Sequence, residues 1–131
     1  MKTDNPSHAE IKKLVSFLHV FNQEGFQPIL RWKNSGHHNG EALSEPILEY
    51  HEEVLSFFQS ASSDHWRDPD YQPEIAWEML QNDSVVQSAT IEQIKTMLTY
   101  CSRGERFCSG HWAEMIEKGY IGKLLDRLSQ L

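Results

Sequence analysis

The thirty residues from Thr90 to Gly119, TIEQIKTMLTYCSRGERFCSGHWAEMIEKG, do most to restrict what this chain can become. Thr90 followed three residues later by Gln93 has the form of a capping box, in which a hydroxyl and a side-chain carbonyl each satisfy a backbone N–H that a helix start leaves free. Ser102 with Glu105 has the same form. The first box predicts a helix over 90–101 with Ile91, Ile94, Leu98 and Cys101 on one face, a 3-4-3 spacing that fits a helix and not a strand. The second predicts a helix over 103–118 that turns Phe107, Cys108, His111, Trp112, Met115 and Ile116 inward and stops at Gly119. Two successive helices at the best-patterned part of a chain point to a helical bundle.

The flanking segments use the same grammar. A helix over 7–23 is expected, with Asp4 or Asn5 as cap, Pro6 opening it, and a stripe of Ile11, Leu14, Val15, Leu18 and Phe21 ahead of Gly25. A helix over 45–59 follows Ser44-Glu45-Pro46, with Ile47, Leu48, His51, Val54, Leu55 and Phe58 inward. That register turns Glu49, Glu52 and Glu53 outward, so they read as a solvated face and not as catalytic carboxylates. Pro73 suits the first turn of a helix over 73–81, and Val85-Val86 make one more turn after the Asn82-Asp83-Ser84 break. A final helix over 121–130 carries Ile121, Leu124, Leu125, Leu128 and Leu131. Residues 1–6 are expected to fray and 27–44 to form an irregular loop segment, with at most a short extended piece around Ile29 to Trp32. The connector over 60–72 should be pinned to the core by Trp66 and Tyr71. The expected architecture is all-α: one compact domain over 1–131, a bundle of five to six helices joined by irregular loops.

Charge and cysteine usage remove several function classes. The formal charge is −7, with five basic and nine acidic residues in 1–66 and seven and ten in 67–131, so neither half is a basic arm. No Lys/Arg cluster can track a phosphate backbone, which speaks against nucleic acid as a partner. No apolar run approaches a membrane span, and the opening MKTDNPSHAE lacks the apolar stretch of a secretory signal. Two cysteines, Cys101 and Cys108, are too few for a disulfide scaffold. The expected compartment is the cytoplasm.

The most distinctive chemistry is the polar run Arg103-Gly104-Glu105-Arg106. One reading makes it a structural clamp, with Glu105 near a helix N-terminus and paired to an Arg. The other makes it an anion site that presents guanidinium forks to a carboxylate or phosphate. Cys108 and His111 share a helical face at i and i+3, yet no CxxC, HExxH or second Cys/His pair accompanies them. His37 and His38 lie in a Gly/Asn-rich stretch that reads as a solvated loop. No metal and no cofactor is therefore expected. Neither a Gly-rich phosphate loop nor a nucleophile elbow is present, so no catalytic residue is assigned and enzymatic status stays open. Trp32, Trp66 and Trp112 fall off the central stripes, a placement typical of interface hot spots as well as of loop anchors.

The residues Leu98-Thr99, Arg103-Gly104-Glu105-Arg106-Phe107-Cys108, Gly110-His111, Gly119-Tyr120-Ile121 and Leu125-Asp126-Arg127-Leu128 together resemble a bacterial family, domain of unknown function 6508. The helix-like stretch PILEYHEEVLSFF, Pro46 to Phe58, resembles the family's Tyr-containing helix. The resemblance covers about residues 40–131, and the RGERF segment is its specific part. Ser109 stands where the family usually has an acidic residue, and Trp112 where an aliphatic is more common. The resemblance implies a compact, mainly helical fold and a bacterial cytosolic setting, and it brings no activity. The leading expectation is thus a non-enzymatic binding or interaction domain with a protein partner or a second copy of itself. The alternative is a small enzyme or anionic-ligand-binding protein built on Arg103, Glu105, Arg106, His111 and Trp112. Convergence of those side chains in an open cleft favours the alternative, and their burial in mutual pairs favours the interaction domain.

Overall fold

In the computed structural model, which describes residues 6–33 and 47–131, the helix opened by the Thr90 box is the element around which the others pack. The box closes as expected. Gln93 N–H donates to Thr90 Oγ1 at 3.2 Å, and Thr90 N–H donates to Gln93 Oε1 at 2.9 Å. The helix, α6 (Ile91–Arg103), buries Ile94, Met97, Leu98 and Cys101 completely.

Ahead of it lie α1 (His8–Val15), α2 (Phe17–Phe21), β1 (Ile29–Lys33), β2 (Ile47–Tyr50), α3 (Glu52–Ala61), α4 (Pro73–Leu80) and α5 (Asp83–Gln87). After it come a single 3₁₀ turn (Gly104–Arg106), α7 (His111–Glu117) and α8 (Tyr120–Leu128). The fold is mostly helical, with more helical segments than the five to six expected, since α1 and α2 are one rod interrupted at Ser16 and the short α5 stands as a helix of its own. It is not all-α. β1 and β2 pair antiparallel, with Arg31 opposite Glu49, Trp32 opposite Leu48 and an irregularity between Ile29 and Arg31.

The hairpin corrects the helix expected over 45–59. Residues 47–50 are strand, His51 caps α3 by accepting from Glu53 N–H at 3.1 Å, and the helix runs to Ala61. Its buried face is Val54, Phe57, Phe58 and Ala61, an i, i+3, i+4, i+7 set, while Leu55 is half exposed. The N-terminus is corrected too. Ser7, not Asp4 or Asn5, caps α1 through a capping box with Glu10, and Pro6 lies buried ahead of the cap. Of the stretch 1–6 expected to fray, residues 1–5 fall outside the described residues, as does the loop carrying His37 and His38.

The Ser102–Glu105 box does not form. α6 continues past Cys101 and tightens into the 3₁₀ turn, so Ser102 lies inside a helix instead of opening one. The break comes at Gly110, whose φ of 92° only glycine adopts without strain, and α7 starts at His111. Residues 107–109 therefore belong to an exposed turn. Phe107, expected in the core, is 83% exposed, and Cys108 is exposed as well.

The buried side chains form one cluster. α6 packs against α3, α4, α7 and α8, and the amphipathic α8 closes it with Ile121, Leu124, Leu125 and Leu128. Trp66 is buried, which anchors the connector between α3 and α4 as expected. Trp112 lies face to face with Phe58, ring centroids 4.5 Å apart and planes within 7°. Trp66 is thus part of the core, and Trp112 is half-buried against it. No helix among the described residues is long and apolar enough to cross a membrane.

Candidate functional site

Glu105 fixes the geometry of the polar run. Its carboxylate accepts a hydrogen bond from the Tyr50 hydroxyl, with Tyr50 Oη 2.8 Å from each oxygen. It also accepts from Gly110 N–H at 3.0 Å and from Trp112 N–H at 2.9 Å. Those two amides belong to the free N–H groups at the start of α7, so Glu105 caps the helix that follows it. One carboxylate thus ties β2, the end of α6 and the start of α7 together. Burial first, and then the Glu105 carboxylate beside it, push the Tyr50 phenol well above its ordinary value, so it remains an O–H donor.

Gly104 is needed for space, not for backbone freedom, because its φ of −60° is ordinary helix. A methyl group there would overlap the His111 ring, which packs directly on the Gly104 backbone. His111 also meets Tyr100 edge to face at 5.3 Å. Its Nε2 is buried with no hydrogen-bond partner, and burial holds its pKa below the ordinary histidine value against the opposing pull of Glu105 and Glu114. The imidazole is a packing group at the helix junction.

Neither arginine of the run pairs with Glu105. The Arg103 guanidinium lies over the Tyr71 ring, 5.6 Å from its centroid, which leaves its N–H edges available. Its place in the last turn of α6 is favourable in its own right, since cations suit helix C-termini. Arg106 is exposed. Neither has an ion-pair partner among the described residues.

Both arginines open onto a cleft of about 430 Å³. Ala61 and Ser62 line it from the end of α3, and Thr99, Ser102, Arg103, Glu105 and Arg106 from α6 and the 3₁₀ turn. Trp112 and Arg67 complete it. Arg67 is held at the cleft by its neighbours in sequence. Trp66 is buried on one side, and on the other Asp68 accepts from Thr96 Oγ1 at 2.6 Å while its N–H donates to Thr99 Oγ1 at 2.9 Å. Arg67 pairs with Asp64 at 3.0 Å, but that carboxylate side chain is 81% exposed, so the pair is weak. The Ser102 hydroxyl oxygen is buried and has no partner in the chain.

Of the five residues singled out from sequence, Arg103, Glu105, Arg106 and Trp112 line this cleft and His111 does not. The sequence reading missed Arg67, Ser102, Tyr50 and Tyr71. Tyr71 was expected as an anchor, and a Tyr beside a connector gives no hint that an arginine will stack on it. No group of three or more His, Cys, Asp or Glu side chains among the described residues is placed to hold a metal ion.

Elsewhere among the described residues the clefts bring no cluster of arginines together, and the one between α1 and α3 has Lys13 as its lysine. In a cleft of about 130 Å³ beside α5 and α8, Lys123 pairs with Asp83 at 2.8 Å and Arg127 donates to the Ala89 carbonyl at 3.0 Å. In one of about 530 Å³ between α1 and α3, His65 meets Glu10 at 3.0 Å.

No curated protein and no solved structure matches the chain. The model of domain of unknown function 6508, described as a family of unknown function, matches residues 6–131. That span takes in the first helical rod and the hairpin as well as the RGERF segment. The chain belongs to the family of unknown function DUF6508.

Proposed function

We propose that this domain is a non-enzymatic binding protein for a small anionic ligand, which it holds in the cleft between α3, α6 and α7. One observation carries the reading: Arg67, Arg103 and Arg106 line a single cleft, and its one carboxylate, Glu105, is already saturated by O–H and N–H donors. Such a carboxylate holds the walls together without occupying the guanidiniums. A volume of this size falls within the roughly 300–1,000 Å³ typical of small-molecule sites. The lining pairs no nucleophile with a base, since the Ser102 hydroxyl has no partner and His111 lies elsewhere. The proposed setting, the bacterial cytosol, rests on the resemblance of the RGERF segment.

Titration calorimetry at low ionic strength against a panel of small carboxylates, sulfonates and phosphate esters tests the reading. Saturable binding is expected, weakened on the order of tenfold, or about 1.4 kcal/mol, by Arg103→Ala or Arg106→Ala, and weakened by added salt. Equal binding by the wild type and both variants would remove the cleft from consideration.

Phe107 favours a second reading, contact with a protein partner or a second copy. A phenyl ring 83% exposed on the turn next to Arg106 is the kind of side chain that anchors interfaces. Phe107→Ser should leave stability within about 0.5 kcal/mol of wild type, as an exposed ring implies. Under this reading it should also abolish any concentration-dependent association seen by light scattering. A chain that is monomeric at all concentrations with and without the substitution leaves self-association unsupported.

A further inference from the structure

The chemistry of the lining narrows the ligand class, on the basis of the anion-binding reading above. Three guanidiniums and one carboxylate line the cleft, a formal charge of +2 (three positive, one negative), offset outside the lining, among the described residues, only by the exposed Asp64 that meets Arg67 at 3.0 Å. A monoanion would leave one of those positive charges unmatched, whereas a dianion neutralises the lining. The donors outnumber what a carboxylate can accept. A carboxylate offers two oxygens, while each guanidinium presents a fork of N–H groups and Ser62 and Ser102 add hydroxyls. Ser102 lines the cleft, and its hydroxyl, buried and without a partner in the chain, gains one only if its side chain rotates toward a ligand. A phosphomonoester has three terminal oxygens on one phosphorus and carries about −1.5 to −2 charges at pH 7. Arg103 is prepared for such a group, because its cation–π contact with Tyr71 holds the guanidinium near the cleft before any ligand arrives.

We propose that the cleft binds the phosphate group of a soluble phosphomonoester as its dianion, held by Arg67, Arg103 and Arg106 with the Ser102 hydroxyl as a further donor. Tyr71 acts through Arg103 as a positioning residue.

The test uses the full chain with phenyl phosphate, benzoate and benzenesulfonate, measured by titration calorimetry at pH 7.5 and 5.5. At pH 7.5 phenyl phosphate should bind on the order of tenfold or more tightly than either monoanion. At pH 5.5 that advantage should shrink several-fold, because the second phosphate proton, with a pKa of about 6, returns and leaves a monoanion. Benzenesulfonate stays a monoanion throughout, so the ratio of the two affinities removes any effect of pH on the protein. Ser102→Ala and Tyr71→Leu should each weaken phenyl phosphate about threefold to tenfold, with thermal melting confirming the fold. Arg106→Ala, at an exposed position, serves as the variant least able to disturb folding and should weaken it at least as much. Benzoate binding as tightly as phenyl phosphate at both pH values would overturn the phosphate assignment and leave the anion site standing. No saturable binding of any of the three would overturn both. Vesicles carrying phosphatidic acid provide the remaining arm, and retention of the protein on them with no binding of phenyl phosphate would overturn the assignment to a soluble ligand.

Discussion

Glu105→Ala is the substitution whose effect the structure defines best. It strands three donors at once: the Tyr50 hydroxyl and the amides of Gly110 and Trp112. Hydrogen bonds to a charged acceptor contribute about 1.5–3 kcal/mol each when buried. These three border an open cleft, and water reaching the two amides lowers their loss to about that of a missing helix cap, ~1 kcal/mol together. Tyr50 is only 8% exposed, so its hydroxyl loses nearer the full amount, about 2 kcal/mol. The expected destabilisation is therefore about 3 kcal/mol, a large share of the stability of a domain this size. Glu105→Gln keeps one acceptor and turns an NH₂ toward donors, so it should recover less than half of that. Tyr50→Phe supplies the other arm of a double-mutant cycle, with a coupling energy of about 1–2 kcal/mol. Urea denaturation at pH 7.5, followed by far-ultraviolet circular dichroism and fitted to two states, measures all four species. A loss below 1 kcal/mol for Glu105→Ala, or no coupling to Tyr50, would show that the carboxylate does not bind this junction together.

Two other substitutions probe the same corner. Gly104→Ala drives a methyl group into the His111 ring and should destabilise by about 2 kcal/mol, the overpacking cost less a small gain in helix propensity. Combining it with His111→Ala should recover part of the loss in the same urea assay, and strict additivity would contradict the close approach. His111 also makes stability depend on pH with a definite sign. Its folded pKa is lowered from 6.5 by burial, so the unfolded chain takes up a proton that the folded chain still refuses. Stability is complete above about pH 6.5 and falls as the pH drops toward the folded value, with a slope no steeper than about 1.4 kcal/mol per pH unit. His111→Asn should flatten that fall between pH 7.5 and 5.5, and a slope unchanged by the substitution would assign the dependence to other groups.

Local chemistry was legible where a few adjacent residues decide the outcome. The Thr90–Gln93 box, Pro73 in the first turn of α4, the Gly119 stop at φ 86° and the stripe of α8 through Leu128 form as the spacing predicts, while Leu131 lies beyond the helix and is half exposed. The hairpin was not, because Ile47 to Tyr50 alternates weakly and Pro46 reads as a helix start. What makes those residues a strand is their pairing with β1, across a long interval of sequence. Phe107 failed for a related reason. Its spacing from His111 and Met115 suits one continuous helix, and a single glycine, Gly110 in the left-handed region, breaks that helix and leaves the ring in water.

Glu105 shows where the limit lies for the site itself. A capping rule looks three residues back, and by that rule its partner is Ser102. In the folded chain it looks forward instead, to amides five and seven residues on, and across to a tyrosine 55 residues away. Charge pattern alone pairs Glu105 with the arginines on either side of it. Once stronger geometry claims its oxygens, those arginines are released, one onto the Tyr71 ring and one to solvent. Under the proposed function, the clamp and the anion site, which compete as readings of four adjacent residues, divide the residues between them. Glu105 with Tyr50 forms the clamp, and Arg103 with Arg106 and Arg67 forms the positively charged wall that the clamp holds open.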